Sequence, residues 1–389
     1  MVRSTIARVD LSALRHNFAA IQHYLASEAG RTAPAIIAVV KANAYGHGAE
    51  RVALALEQAG ATMLACADIE EGIVLRKAGV RVPVLVFGAL SVSDLDGLFE
   101  YSLTPTISTP GAARAVAAAA AKRRTAIGYH LKVDTGMNRL GFRHDNLRWT
   151  LPEMLASDHL RLDGVFTHFA AADEPESPLL ETQRERFDAA QQVVADLAGP
   201  AEAGRSAEAG HHSITIHASN SAALLRDSRV WYDAVRPGLL LYGIVPPPLA
   251  STIPLHPVMS LTSRVVAVKG VRPGEGVGYG WRFEADSPRR IAVVPAGYAD
   301  GLDTRLSGRG HVLIRGRRVP IVGAVSMDMI TVDVTHVNEA QPGDEVVLLG
   351  RQGGESWQQI DAREVAAAIG TIPWEIVCRL GTRIERAYD

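Results

Sequence analysis

The chain has 389 residues, 47 % hydrophobic and 21 % charged, with a formal net charge of −2. That is material for one large or two medium soluble domains, and a longest basic block of Lys122-Arg123-Arg124 provides no nucleic-acid or membrane surface. Cys66 and Cys378, far apart in apolar surroundings, read as buried free thiols of a reducing compartment; with no apolar leader and no membrane-length run, the expected location is the cytoplasm.

Asp10 opens a helix whose apolar positions, Leu11, Leu14, Phe18, Ile21 and Leu25, follow the helical period. The run Ala35–Val40 is short, β-branched and bounded by Gly, the pattern of a strand buried on both faces, and Lys41 sits where it ends. A helix over 49–59 follows, stopped by Gly60. Thr62–Ala67 is a second strand, and Asp68 with Glu71 three residues on forms a capping box. Val82–Phe87 is a third, with a helix near 92–100, and Leu103–Ile107 a fourth. Thr109-Pro110 starts an alanine-rich helix. Ile127–Val133 is the fifth strand and Leu162–His168 the sixth, followed by a long helix near 179–197. Residues 199–213 lack periodicity and read as a surface insertion on the rim. Ile214–Ala218 and Ala234–Arg236 are the seventh and eighth strands.

Eight apolar strands alternating with helices predict an α/β fold, a (β/α)8 TIM-type barrel over residues 11–245. After Pro246-Pro247-Pro248 the character changes to short strands between Gly and Pro turns: Leu261–Val268, Ile291–Pro295, His311–Ile314, Val319–Val325, Met329–Val334 and Glu345–Leu349, then a helix at Asp361–Ile369. Residues 246–389 are thus a C-terminal mainly β domain, and residues 1–10 are expected to pack with it.

The C-terminal strand ends of the barrel, where such barrels place their chemistry, carry Lys41, Arg139, His168, Asn220-Ser221 and Arg236. A partly buried lysine has a lowered pKa and can act as a Schiff-base nucleophile; alone, it would simply emerge into water. Ser219-Asn220-Ser221 and Gly238-Leu239 lie in the loops that form the usual phosphate site of a barrel, and Tyr45 adds a phenol. Taken alone, Ser221 reads as a helix N-cap and Tyr45 as a packed loop aromatic. Lysine plus phosphate cradle suits pyridoxal 5′-phosphate. Arg236 can only donate, so facing a pyridine nitrogen it would leave that nitrogen unprotonated; the plainer reading is a rim ion pair. Arg139 can clamp a carboxylate, Lys132 is a costly buried cation unless Asp134 pairs it, and His168 supports Arg236 or a ring or is a satisfied structural histidine. In the β domain, Tyr279 and Tyr298 sit in Gly-flanked turns and Met327-Asp328 in the turn Val325-Ser326-Met327-Asp328-Met329. No metal-ligand spacing, phosphate loop or dinucleotide fingerprint occurs.

The motifs Val40-Lys41-Ala42-Asn43-Ala44-Tyr45-Gly46-His47-Gly48, Lys132–Gly141, Phe166-Thr167-His168-Phe169, Ser219-Asn220-Ser221, Arg236-Pro237-Gly238, Val277-Gly278-Tyr279-Gly280, Gly297-Tyr298-Ala299-Asp300-Gly301 and Ser326-Met327-Asp328 stand in this order. In them the chain resembles the bacterial alanine racemases over essentially its full length. The resemblance implies that Lys41 carries pyridoxal 5′-phosphate and is the base on one face of the substrate α-carbon, with Tyr279 the acid/base on the other. It implies a homodimer with shared sites, so that Tyr279, Tyr298, Met327 and Asp328 reach the other subunit's Lys41. Tyr45, Asn220, Ser221, Gly238 and Leu239 would then serve the cofactor's phosphate end, Arg236 its pyridine nitrogen, His168 the ring or Arg236, and Arg139 its phenolic oxygen and, with Met327, Tyr298 and Asp328, the substrate. The lysine matching Lys132 is carbamylated in some members. Thr382 stands where some members place a phosphate-contacting tyrosine, and Ser326 where others have cysteine. The implied function is interconversion of L- and D-alanine for cell-wall peptidoglycan. The alternatives are a broad-specificity racemase, normally exported; a related decarboxylase, which would place a carboxylate at Arg236; and a non-catalytic pyridoxal-phosphate carrier, which would lack the β domain.

Overall fold

The computed structural model describes residues 5–30, 32–88, 90, 95–199, 214–354 and 356–389. The eight barrel strands are β1 (Ala35–Val39), β2 (Met63–Cys66), β3 (Val84–Val86), β4 (Thr104–Ile107), β5 (Ile127–Asp134), β6 (Leu160–Phe166), β7 (Thr215–Asn220) and β8 (Ala234–Arg236). Neighbours pair in parallel around the ring, from Val39 opposite Ala65 to Val235 opposite Ile36, and the β4–β5 pairing of Thr106 with His130 leaves no open edge. The strands are buried on both faces by helices outside and by one another inside, which is why they read as continuous apolar runs.

The helices start where side-chain caps dictate. Asp10 accepts from the Ala13 N–H, Asp68 from Glu71, Thr109 from Ala112 ahead of Pro110, and Asn220 from Ala223. Asn220, not Ser221, is therefore the N-cap after β7, which frees the Ser221 hydroxyl. No long helix follows β8. The helix Leu11–Glu28 packs beside Ala49–Gln58 and the turn Leu239–Tyr242 instead, and Asn17 Nδ2 donates to the Leu241 and His256 carbonyls at 3.0 and 2.8 Å. The barrel seam is thus closed by the first helix of the chain.

The β domain is a ten-stranded, mostly antiparallel sheet. Ile6–Val9 lies within it, antiparallel to Met259–Arg264 and parallel to Glu385–Tyr388. The sequence run Leu261–Val268 is two strands, Met259–Arg264 and Ala267–Val271, because the chain changes partners at Val265-Val266: the first pairs with Glu345–Gln352 and the second with Arg289–Val294. The short helix Pro373–Cys378, unread in the sequence, starts with Pro at its first position. Of the helix expected near 92–100, Asp96–Glu100 is present, and residues 91–94 lie outside the described residues, as does the insertion beyond Gly199. Among the described residues no helix is long and apolar enough to cross a membrane.

Candidate active site

β1 does not run into an ordinary helix. Ala42, Asn43, Ala44 and Tyr45 all take left-handed backbone angles, with φ between 52 and 55°. Such a conformation costs about 1–2 kcal/mol per non-glycine residue, so four in succession must be held by their surroundings. The Ala44 N–H donates to the Val40 carbonyl at 2.8 Å and Gly46 to Ala42 at 3.0 Å. Glu71 accepts from the Ala42 N–H through Oε1 at 2.7 Å and from Ala67 through Oε2 at 2.8 Å. Asn43 Oδ1 accepts from Ala49, His47 Nδ1 lies 3.0 and 2.9 Å from the Ala44 and Tyr45 carbonyls, and Arg386 Nε donates to the Gly46 carbonyl at 3.0 Å. Lys41 stands at the head of this turn.

Lys41 opens into a cavity of about 600 Å³, a size suited to a small-molecule ligand. Tyr45, Lys132, Arg139, His168, Asn220, Ser221, Arg236, Gly238 and Leu239 line it too. Every barrel residue singled out from the sequence is therefore in one place. Burial lowers the Lys41 pKa, with Arg139 and Arg236 adding like-charge repulsion. A lysine so placed keeps more of its neutral, nucleophilic form near pH 7.

Tyr45, Ser221 and Gly238 converge at one end. Ser221 Oγ accepts from the Gly238 N–H at 3.0 Å, and a Cβ on Gly238 would lie 2.5 Å from the Tyr45 hydroxyl oxygen. Glycine is needed there because the backbone approaches the phenol closely. The result is a small cradle of hydroxyls and backbone.

Arg236 is 3 % exposed and meets no carboxylate among the described residues. Nη1 donates to His217 Nδ1 at 2.8 Å, and Nη2 to the Thr167 and Ala218 carbonyls, each at 2.8 Å; His168 Nδ1 is a longer 3.5 Å away. Burial pushes the guanidinium down to about 9, still charged at neutral pH. His217 Nδ1 must accept, since arginine has no acceptor. Burial holds His217 neutral, so its proton is on Nε2, which donates to His130 Nδ1 at 2.8 Å. His217 and His130 were missed in the sequence because a histidine inside an apolar strand reads as core. Phe166 completes the arrangement, its ring stacked on His217 with centroids 4.8 Å apart and 5.2 Å from the Arg236 guanidinium carbon.

Lys132 is not paired by Asp134. Asp134 Oδ1 instead accepts from the Gly136 and Asn138 N–H groups at 3.0 and 3.1 Å, shaping the loop that carries Arg139. Lys132 is 6 % exposed, with Nζ 5.7 Å from the Phe166 ring centre and no ion pair among the described residues. Burial lowers its pKa to about 8, helped by Arg139 and Arg236. Lys41, Lys132, Arg139 and Arg236 thus share a cavity whose one lining carboxylate is Asp173. Such a site carries an excess of positive charge.

Trp374 and Cys378 also line the cavity, brought by the helix Pro373–Cys378. Cys66 is a buried free thiol, but Cys378 is exposed, because the apolar residues beside it in sequence turn into the β domain while its own side chain faces the cavity. Thr382 is exposed and does not line the cavity. Neither do Tyr279, Tyr298, Met327 and Asp328. These four gather elsewhere on the β domain: the Tyr298 and Ala299 N–H groups donate to the Ser326 and Met327 carbonyls, and a Cβ on Gly278 would lie 3.4 Å from the Ala324 nitrogen. Their apolar members are bare, with Tyr279, Met327 and Tyr298 at 76, 52 and 45 % exposure. Asp328 pairs with Arg383 at 2.6 Å.

A closed parallel barrel with an activated lysine at the first strand end and a β domain behind it defines an enzyme whose chemistry lies at the barrel mouth. The chain matches the alanine racemase N-terminal domain over residues 9–246 and the alanine racemase C-terminal domain over residues 258–388. Relatives named alanine racemase include one from Halothermothrix orenii, 39 % identical across 100 % of this chain and 97 % of its own, and one from Symbiobacterium thermophilum, 40 % identical with the same coverage. The alanine racemase structure from a D-cycloserine-producing Streptomyces lavendulae superposes with a TM-score of 0.90 at 33 % identity, covering 100 % of this chain and 98 % of that one. The chain belongs to the alanine racemase family and is, by that membership, an isomerase.

Proposed function

We propose that the protein interconverts L- and D-alanine with pyridoxal 5′-phosphate held at Lys41, and that it does so in the cytoplasm as a homodimer supplying D-alanine for peptidoglycan. The observation that carries this reading is the cavity itself. An activated lysine, a hydroxyl cradle and unneutralised cations share about 600 Å³. The residues fit that cofactor: Tyr45, Ser221, Gly238 and Leu239 would hold its phosphate, and Lys41 its aldehyde carbon. When bound, the cofactor supplies an electron-withdrawing ring that acidifies the substrate's α-hydrogen.

The chain's own groups do the rest. Lys41, with its lowered pKa, takes or returns a proton on one face. Arg236, charged and surrounded by neutral acceptors, donates toward the ring nitrogen without giving up a proton. That restrains electron flow into the ring and disfavours transamination. Arg139 presents a planar fork to the substrate carboxylate. Lys132 is suited to carbamylation: with a pKa of about 8, roughly a tenth of it is neutral at pH 7 and can add carbon dioxide with loss of a proton. The anion so formed would neutralise and orient Arg139.

The other face needs a second acid/base; Tyr279 is our candidate, and it does not line this chain's own cavity. The exposed patch of Tyr279, Tyr298 and Met327 supports a second copy contributing Tyr279. A mixing experiment tests both halves. Lys41→Ala and Tyr279→Phe should each abolish racemisation alone. Mixed after reversible dissociation, half the dimers are hybrids with one intact site, so activity should return to roughly a quarter of the parent value. No recovery from a mixture shown to contain hybrids would refute the shared site, and α-deuterium exchange without inversion of alanine would refute the two-base assignment.

A further inference from the structure

Outside the cavity, two charged side chains contact the backbone of the Lys41 turn, one at its start and one at its end. Glu71 is the third residue of the helix Ile69–Lys77. In an ordinary capping box its carboxylate would return to its own helix start. Instead it spans two elements, accepting from the Ala67 N–H just past β2 and from the Ala42 N–H inside the left-handed turn. Arg386 comes from the final strand of the β domain. Its Nε donates to the Gly46 carbonyl, while Nη1 and Nη2 donate to the carbonyls of Gly381, Ile384 and Leu380 at 2.8–2.9 Å. No carboxylate competes for it among the described residues, so all its bonding goes to backbone. A Cβ on Gly46 would strike the Val377 carbonyl, and one on Gly48 the Tyr388 hydroxyl, so the turn is pressed directly against the C-terminal segment.

We propose that Glu71 and Arg386 are positioning residues for Lys41, pinning the left-handed turn that sets where the lysine stands in the cavity. This rests on the reading of Lys41 as the cofactor-bearing base. The turn is sterically uphill and holds no glycine before Gly46. Its start and end therefore need external partners, and Glu71 supplies the first and Arg386 the second. Neither side chain lines the cavity. Both act through backbone, not on reacting atoms. Glu71→Gln keeps the shape but turns one acceptor into a donor facing an N–H, so one of its two contacts must break.

The control is already in the fold. Glu57 also holds two backbone N–H groups away from the site, but both on one oxygen, Oε1 accepting from Arg81 and Val82 ahead of β3, each at 2.8 Å. Glu71→Gln, Arg386→Gln and Glu57→Gln holoenzymes would be compared by steady-state kinetics, hydrogen–deuterium exchange of the 40–48 peptide and thermal midpoint. Displacement of a reacting group by about 1 Å costs on the order of a hundredfold in rate. Glu71→Gln and Arg386→Gln should therefore lower kcat by about tenfold to a hundredfold with little change in KM, and should speed exchange in 40–48. Glu57→Gln removes a comparable charge but keeps an amide oxygen for both N–H groups, so kcat, that exchange and the thermal midpoint should stay near the parent values. The proposal is overturned if the Glu71 and Arg386 variants keep parental kcat or exchange, or if Glu57→Gln loses kcat equally. Should Glu71→Gln not accumulate as folded protein, Glu71→Asp, shorter by one methylene, gives the same comparison. Failure of the cofactor reading would show differently, as absence of any borohydride-trapped cofactor on Lys41 in the parent protein.

Discussion

Four histidines are held neutral by burial, and this makes the fold sensitive to mild acid. Burial lowers the pKa of His47 and of His130 to about 4, and holds His168 and His217 well below the ordinary imidazole value, with Arg236 adding repulsion at the last two. Each folded pKa lies below the unfolded value of about 6.5, so the unfolded chain binds more protons below that pH. The stabilisation is complete above about pH 6.5 and is lost as pH falls toward the folded values. One histidine contributes at most RT ln(1 + 10^(6.5 − pH)), about 1–2 kcal/mol at pH 5.5 and about 2–3 kcal/mol at pH 4.5. Four together remove at most about 6 kcal/mol by pH 5.5 and about 11 kcal/mol by pH 4.5. Domain stabilities are about 5–15 kcal/mol, so acid unfolding of the cofactor-free protein should be centred between about pH 5.5 and 4.5. Guanidinium titrations at fixed protein concentration across this range would measure it, with proton uptake on unfolding read by calorimetry in two buffers. Close to four protons should be taken up at about pH 5. Stability that stays flat down to pH 4, where carboxylates take over, would refute the reasoning, as would an uptake near zero.

Other outcomes follow from single contacts. Arg236→Glu places a carboxylate opposite the cofactor's ring nitrogen and should raise transamination relative to racemisation, scored by pyruvate formation from alanine; an unchanged ratio would sink the account of Arg236. Gly238→Ala puts a methyl 2.5 Å from the Tyr45 hydroxyl, an overpacking of about 1–3 kcal/mol, and should weaken cofactor binding roughly tenfold or more by equilibrium dialysis while the apo-protein remains folded. Native mass spectrometry should find carbon dioxide added at Lys132, lost on acidification and on Lys132→Ala; activity indifferent to bicarbonate depletion together with an unmodified mass would exclude it.

The barrel was legible in the sequence because its strands are buried on both faces and read as unbroken apolar runs ending in polar residues. That alone placed Lys41, His168, Ser221 and Arg236 at one end. What escaped detection was set by tertiary contact. Nothing in Ala42-Asn43-Ala44-Tyr45 marks a left-handed turn, since none is glycine and the conformation is imposed by Glu71, Arg386 and His47. Asp134 looked like the natural partner of Lys132, but two backbone N–H groups nearby claim its Oδ1 instead. The helix bringing Trp374 and Cys378 is one and a half turns long, too short for periodicity to show; only Pro373 marked its start. The Gly-flanked motif marked Tyr279 only as a turn residue; its acid/base role came from the resemblance, and its exposure leaves it free to serve the role proposed for it in another copy.

The pairing of Ile6–Val9 with Glu385–Tyr388 also bears on how the molecule is made. Ile6–Val9 gains its antiparallel neighbour only once Met259–Arg264 has been made, and its parallel one only once Glu385–Tyr388 has been made. The barrel, whose contacts are local by comparison, can close earlier. Arg386 lies in that last strand and grips the Gly46 carbonyl. A nascent or truncated chain would therefore carry a barrel without the clamp behind its lysine. Chains that stop before Arg386 would racemise poorly even where their barrels fold.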